Sequence, residues 1–111
     1  MMDRVKFEGL VDQAIRELPA VFRRKLENIV VIVEDHPSEE QLLDDMEIPS
    51  GDALFGLYEG TPLTERGFDT PLHPDRIWIF QGPIEEACES EEEIMEEIKT
   101  TILHEVAHFL V

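Results

Sequence analysis

Hydrophobic residues in the first third of the chain change from helical to strand-like spacing. Apolar residues recur every three or four positions at the start, which predicts an amphipathic helix over about Asp3–Leu18. Pro19 interrupts this helix, and a short second helix is predicted over Ala20–Leu26. Five consecutive β-branched residues follow at Ile29–Val33. Such a run predicts a strand that is buried on both faces, in the interior of a parallel or mixed sheet.

The middle of the chain predicts one more short helix and two more strands. Ser38 and Gln41 fit a capping box, so a helix should run from there to about Met46. Apolar runs at Leu54–Tyr58 and Arg76–Phe80 predict the second and third strands.

A polar loop of unusual length is predicted between the second and third strands. It runs over Gly60–Asp75 and contains three prolines. Long connections without secondary structure in small domains are often functional. His73 lies in this loop and could reach a cleft, but a solvated loop histidine is the preferred interpretation.

The last segment predicts a long helix. Gly82 and Pro83 stop the third strand, and Ser90 with Glu93 forms another capping box with an acidic first turn. Isoleucines at helical spacing then continue the helix to the chain end, at Ile94, Ile98 and Ile102. The order is helix, strand, helix, strand, strand, helix. This order predicts one α+β domain over residues 1–111, with a three-stranded mixed sheet and helices packed on it.

The final helix contains the pattern H-E-x-x-H, formed by His104, Glu105 and His108. At about 100° per residue, two histidines four positions apart lie one above the other on one helix face. Both imidazoles can therefore bind one Zn²⁺. Glu105 points about 100° away from His104 and is better placed as a general base for a metal-bound water than as a ligand.

The residues around this pattern predict a buried site. Ile102, Leu103, Val106 and Ala107 are apolar, so the end of the helix is apolar nearly all round except for the His and Glu stripe. A helix of this kind is usually buried, and buried polar groups need a partner such as a metal. The alternative interpretation is a pair of core histidines bonded to backbone or carboxylates, with an exposed glutamate beside them.

Composition narrows the possible partners. The 111 residues include 26 acidic and 9 basic ones, for a net charge of −17. Such a surface repels phosphate backbones and anionic lipids, so we expect neither a nucleic-acid nor a membrane partner. The chain has one cysteine, Cys88, and no apolar leader near its first residues, which favours the cytoplasm.

Several stretches together resemble the minimal zincin-like metallopeptidases, a family of small bacterial domains. The resemblance rests on I-V-V-I-V-E-D, L-F-G-L-Y-E-G-T-P-L, P-D-R-I-W-I-F-Q-G-P-I-E and T-I-L-H-E-V-A-H-F, and it covers about Phe7–Phe109. It implies a zincin-like fold, zinc bound by His104 and His108, and Glu105 as general base. Together with the buried-type run at Ile29–Val33, it implies that the third strand pairs in parallel with the first, and that the second lies antiparallel at an edge beside the active-site cleft. A peptide or protein substrate would then lie along this edge strand, at residues 54–60.

One departure from the family pattern concerns the third zinc ligand. Family members usually continue past the second histidine through a glycine to an acidic residue, whereas His108 here is followed only by Phe109-Leu110-Val111. We therefore expect a truncated chain, or a third ligand from water, a buffer anion, a neighbouring chain or a carboxylate such as Asp75. The identity of that ligand and the oligomeric state stay open.

Two functions from different classes follow from these features. The first is a zinc-dependent metallopeptidase that hydrolyses peptide bonds with a zinc-activated water and Glu105 as base. The alternative is a non-catalytic, acidic, zincin-like domain that binds a partner, with structural metal or none. Four further residues are interpreted as structural: His36 as a turn residue, Tyr58 and Trp78 as strand residues, and Cys88 as an inert thiol with a raised pKa.

Overall fold

The fold is α+β, as the order of hydrophobic patterns predicts. The computed structural model describes residues 2–44, 54–60 and 74–110. The helices are α1 (Arg4–Arg16), α2 (Ala20–Leu26), α3 (Glu39–Asp44), α4 (Gln81–Ala87) and α5 (Glu91–Leu110). The strands are β1 (Ile29–Glu34), β2 (Gly56–Glu59) and β3 (Asp75–Phe80). Most of the predicted Gly60–Asp75 loop, including His73, lies outside the described residues, as do Asp45 and Met46 of the third predicted helix.

The described strands form one mixed sheet in the order β1-β3-β2. β1 pairs with β3 in parallel, with Ile29 opposite Asp75 and Glu34 opposite Phe80. β2 pairs with β3 antiparallel, with Gly56 opposite Ile79. Among the described strands, the predicted directions and the edge position of β2 are confirmed.

The prediction that the first strand lies in the sheet interior is wrong. Among the described strands β1 is an edge, and β3 is the strand with a neighbour on both sides. Val30 is 42% exposed, whereas Val31 and Val33 pack against the core. The β-branched run therefore reflects strand propensity and burial on one face, rather than burial on both faces.

The hydrophobic core lies between one face of the sheet and helices α1 and α5. Ile77 and Ile79 of β3 are fully buried there. The helices contribute apolar residues at three- and four-residue spacing to the same cluster, including Phe7, Val11, Ala14, Ile94, Ile98, Ile102 and Val106. Burial of this shared face fixes the position of α5 against the sheet.

The sequence does not predict helix α4, because Gly82 and Pro83 together indicate the end of a strand. Instead, both residues lie in the first turn of α4, where proline is tolerated since its position needs no amide hydrogen. Gly82 donates its N–H to the carbonyl of Asp35 at 2.8 Å. A Cβ at Gly82 would lie 2.7 Å from that carbonyl oxygen, so the close approach requires glycine.

The two predicted capping boxes differ in detail. At α3 the box is reciprocal: Gln41 N–H donates to Ser38 Oγ, and Ser38 N–H donates to the Gln41 side chain. At α5 the N–H of Glu93 donates to Ser90 Oγ, but the Glu93 carboxylate accepts from the N–H of Glu89. Both contacts satisfy amides at a helix start, as expected.

Candidate functional site

Helix α5 positions the H-E-x-x-H residues through its buried stripe. Residues 104–108 lie inside Glu91–Leu110. Ile98, Ile102 and Val106 are buried against the core and anchor the preceding turns. Because His104 and His108 are two residues from Val106 in either direction, they lie on the side of the helix away from the core.

The expected burial of the site is wrong for the histidines. His104 and His108 are exposed, as is Ala107, and Glu105 is half-buried. Of the neighbouring apolar residues that led to this expectation, Ile102 and Val106 are buried in the core and Leu103 packs against it. The two imidazoles therefore face solvent within the described structure, which removes the argument that burial alone demands a metal.

The paired imidazoles nevertheless fit two ligands of one zinc ion. Their ring centroids are 6.2 Å apart and the ring planes are inclined by 39°. Two imidazoles on one tetrahedral Zn²⁺ have centroids roughly 5 Å apart, given Zn–N distances of about 2.0–2.1 Å. Small rotamer changes on an exposed helix face bridge that difference.

A third protein ligand is not found beside them in the part of the chain that the structure describes. Within residues 2–44, 54–60 and 74–110, no group of three or more His, Cys, Asp or Glu side chains is placed to hold a metal ion. The carboxylate of Asp75, one candidate from the sequence, accepts a hydrogen bond from the Tyr58 hydroxyl at 2.7 Å. The residues present therefore match two of the three protein ligands that a catalytic zinc site normally has.

Glu105 contacts the edge strand β2. Its Oε1 accepts a hydrogen bond from the backbone N–H of Tyr58 at 2.9 Å. A hydrogen bond to a carboxylate is stronger than one between neutral groups, and it orients the side chain. This contact brings the H-E-x-x-H helix and the edge strand into one site.

A glycine on β2 permits this close approach of α5. A Cβ at Gly56 would lie 2.5 Å from Thr101 Cγ2 and 2.9 Å from the carbonyl oxygen of Trp78. Thr101 is buried and lies one helical turn before Glu105. Gly56 and Thr101 therefore set the distance at which Glu105 reaches Tyr58.

Tyr58 links two carboxylates across the site. Its backbone N–H bonds to Glu105, and its hydroxyl bonds to Asp75 at the start of β3. From the sequence Tyr58 is interpreted as a strand residue, and neither of these two hydrogen bonds is predicted. The hydrogen bond from a backbone amide has no signature in residue type, although the position of Tyr58 on a predicted edge strand was a usable signal.

The remaining candidates lie elsewhere or are structural. His36 packs beside Gly82, beyond the carboxyl end of β3, whereas the site adjoins Asp75 at its start. Burial raises the pKa of the Cys88 thiol, and the Glu97 and Glu93 carboxylates raise it further. The predicted direction of the Cys88 pKa shift is confirmed. Trp78 Nε1 is buried and has no hydrogen-bond partner among the described residues.

Comparison with known proteins gives a family and a fold. A family model described as zincin-like metallopeptidase matches residues 26–110. No curated protein matches the chain at a significant level. A solved structure of a conserved hypothetical protein from T. thermophilus is similar, with a TM-score of 0.61 and 24% identity over 97% of this chain and 94% of that one. That likeness supports the shared fold.

The described helices give no sign of a membrane span. Within residues 2–44, 54–60 and 74–110, none is both long enough and apolar enough to cross a bilayer.

Proposed function

This chain belongs to the zincin-like metallopeptidase family, and we propose that it is a zinc-dependent peptidase. In this proposal His104 and His108 are zinc ligands and Glu105 is the general base. The substrate is a peptide or a protein segment that lies extended along β2. The metal and the substrate are both part of the proposal.

The observation that most supports this function is the contact between Glu105 and β2. Glu105 lies in sequence between the two histidines, and its carboxylate is 2.9 Å from the amide nitrogen of an edge-strand residue. An edge strand can pair with an extended peptide through main-chain hydrogen bonds. A peptide on β2 would therefore have its backbone close to the proposed base and to the histidine pair.

The proposed roles follow from the chemistry of each group. Bound zinc would polarise a water molecule and the scissile carbonyl. Glu105 takes a proton from the attacking water and delivers it to the leaving amine. Before a peptide binds, Tyr58 N–H holds one carboxylate oxygen of Glu105 at the edge of β2. The exposed face of His104 and His108 lets substrate and solvent reach the same site.

A non-catalytic binding domain is the second candidate. It is favoured by the presence of only two candidate zinc ligands side by side in the described part of the chain. The same edge strand would then bind a partner segment without cleavage. Metal affinity separates the two candidates, because a site with two protein ligands binds zinc weakly.

Zinc stoichiometry of purified variants tests the assigned roles. We expect Glu105→Gln to retain zinc at nearly the wild-type level, because the amide changes the base and neither imidazole. We expect His108→Ala to lose zinc. His36→Ala is the matched control, since His36 is also exposed but lies at the other end of β3. If Glu105→Gln loses zinc as completely as His108→Ala, Glu105 is a ligand and its assignment as base is wrong.

Chelator competition on the same protein tests the ligand count. We expect weak zinc binding by the 111-residue chain, because its described residues place two candidate protein ligands, His104 and His108, side by side. Zinc retained by a monomer against a nanomolar chelator would show that these residues complete the site, contrary to this expectation.

A further inference from the structure

The backbone N–H of Tyr58, which donates to the Glu105 carboxylate, points away from the neighbouring strand β3. Phe80 N–H donates to the carbonyl of Phe55 at 2.9 Å, so these two residues form a hydrogen-bonded pair of the antiparallel ladder. Such pairs alternate along antiparallel strands with pairs whose N–H and C=O groups point outward. In the observed register Tyr58 lies opposite Ile77, three residues along, and therefore belongs to an outward-pointing pair.

An extended peptide that joins β2 needs this same donor. Strand addition at an edge uses the outward N–H and C=O groups of alternate residues. On β2 these residues are Gly56, which is buried, and Tyr58, which is half-buried. The Tyr58 amide has one hydrogen, and Glu105 accepts it at 2.9 Å. A peptide carbonyl and the Glu105 carboxylate therefore compete for one donor. The carboxylate is the stronger acceptor of the two.

We propose that Glu105 is a latch on the substrate edge: an extended peptide that pairs with β2 displaces its carboxylate from Tyr58 N–H. The released carboxylate becomes available as a base only while a peptide occupies the edge. This inference rests on the proposed function, because it takes β2 as the strand along which the peptide lies. It adds that the apparent affinity for peptide is lowered by the cost of releasing Glu105.

Peptide binding to zinc-free protein tests the latch without hydrolysis. The probe is a fluorescein-labelled ten-residue peptide that alternates Thr, Val and Lys, because a net charge of −17 favours a cationic ligand. We expect Glu105→Ala to bind the probe roughly tenfold more tightly than wild type, since the Glu105 carboxylate no longer competes for the amide. Glu105→Gln retains a weaker, neutral acceptor and should lie between them.

Two controls distinguish displacement of Glu105 from two other effects. These are a general effect of charge on affinity and binding through the side chains of the probe. Glu92→Ala also removes one carboxylate from α5 at an exposed position, and it should leave the affinity unchanged. A probe N-methylated at every residue has no N–H on either edge, so it cannot complete the ladder and should bind at least tenfold more weakly than the parent probe. Equal binding of the methylated probe would overturn strand addition. Equal affinity of wild type and Glu105→Ala for the parent probe would overturn the latch.

Hydrogen exchange of the Tyr58 amide, measured by NMR, provides a second readout. We expect exchange at least tenfold faster in Glu105→Ala than in wild type, and slower again when the probe is bound. Unchanged protection of this amide in Glu105→Ala would overturn the latch. Neither experiment measures cleavage, so a protein that shows both effects and hydrolyses no peptide when zinc-loaded would retain the latch and refute the peptidase.

Discussion

The two edges of the described sheet differ in length, composition and contacts. β1 has six residues, five of them β-branched, and Arg4 bonds its backbone at the carbonyl of Val33. β2 has four residues and begins with glycine. Its outward amide at Tyr58 bonds to Glu105 of the H-E-x-x-H helix. β1 is thus tied to the N-terminal helix, whereas β2 is tied to the candidate active site.

The two edges therefore differ in role: β1 contributes to the stability of the fold, and β2 also contributes to the candidate active site. Ile79 of the central strand pairs with Val33 on one side and with Gly56 on the other, so both edges depend on the same buried residue. A change at the shared strand should affect the whole fold. A change on β2 should also affect the geometry of the site, and a change on the outer face of β1 should affect neither.

The largest effect is expected for Ile79→Ala, which alters the support of both edges. Ile79 is fully buried in the main core, and truncating such a residue costs about 2–5 kcal/mol. Urea denaturation should show this loss, and it should show a smaller one for Ile79→Val, about 0.5–1.5 kcal/mol. A loss below about 1 kcal/mol for Ile79→Ala would contradict the central position of this residue.

An intermediate effect is expected for Gly56→Ala, which alters β2 alone. The added methyl group would lie 2.5 Å from Thr101 Cγ2 and 2.9 Å from the Trp78 carbonyl oxygen, so α5 or β2 must shift. We expect a loss of about 1–3 kcal/mol in urea denaturation and faster hydrogen exchange at Tyr58 N–H.

Combining Thr101→Ser with Gly56→Ala tests which contact causes this loss, because serine lacks the methyl group that the new Cβ meets. The double variant should recover part of the stability lost in Gly56→Ala, but not all of it, because the contact with the backbone oxygen of Trp78 persists. No recovery would mean that the side chain of Thr101 does not set the spacing between α5 and β2.

The smallest effect is expected for Val30→Thr on the outer face of β1. Val30 is 42% exposed, and both residues are β-branched. Substitutions at such positions usually change stability by less than about 0.5 kcal/mol. A change above about 1.5 kcal/mol by urea denaturation would show that this face of β1 is more important than its exposure indicates.

Hydrophobic spacing predicted where helices and strands lie along the chain better than it predicted which strands lie side by side in the sheet. The helix at Ala20–Leu26 has the predicted bounds. Strand direction followed from the pattern and the family resemblance together. The edge position of β1 did not, because a β-branched run is the same whether one face or both are buried. α4 was missed because Gly82 and Pro83 stop a strand and open a helix equally well.

For the candidate site, too, some features could be predicted from the sequence and others could not. The positions of His104 and His108 on one helix face follow from sequence spacing alone. Their exposure did not follow, because flanking apolar residues such as Val106 point to the opposite side of α5. The contact of Glu105 with Tyr58 joins residues 47 positions apart through a backbone amide, which no residue pattern records.

Cleavage of an unstructured peptide library by zinc-loaded protein, followed by mass spectrometry, measures directly whether this site is a zinc peptidase centre. We expect wild type to cut library members. At equal zinc occupancy and equal fold by circular dichroism, we expect Glu105→Gln to cut them at least 100-fold more slowly, within the range usual for loss of a general base, about 10²–10⁴-fold. Cleavage by Glu105→Gln at the wild-type rate, or no cleavage by either protein, would contradict the assignment of this site as a zinc peptidase centre.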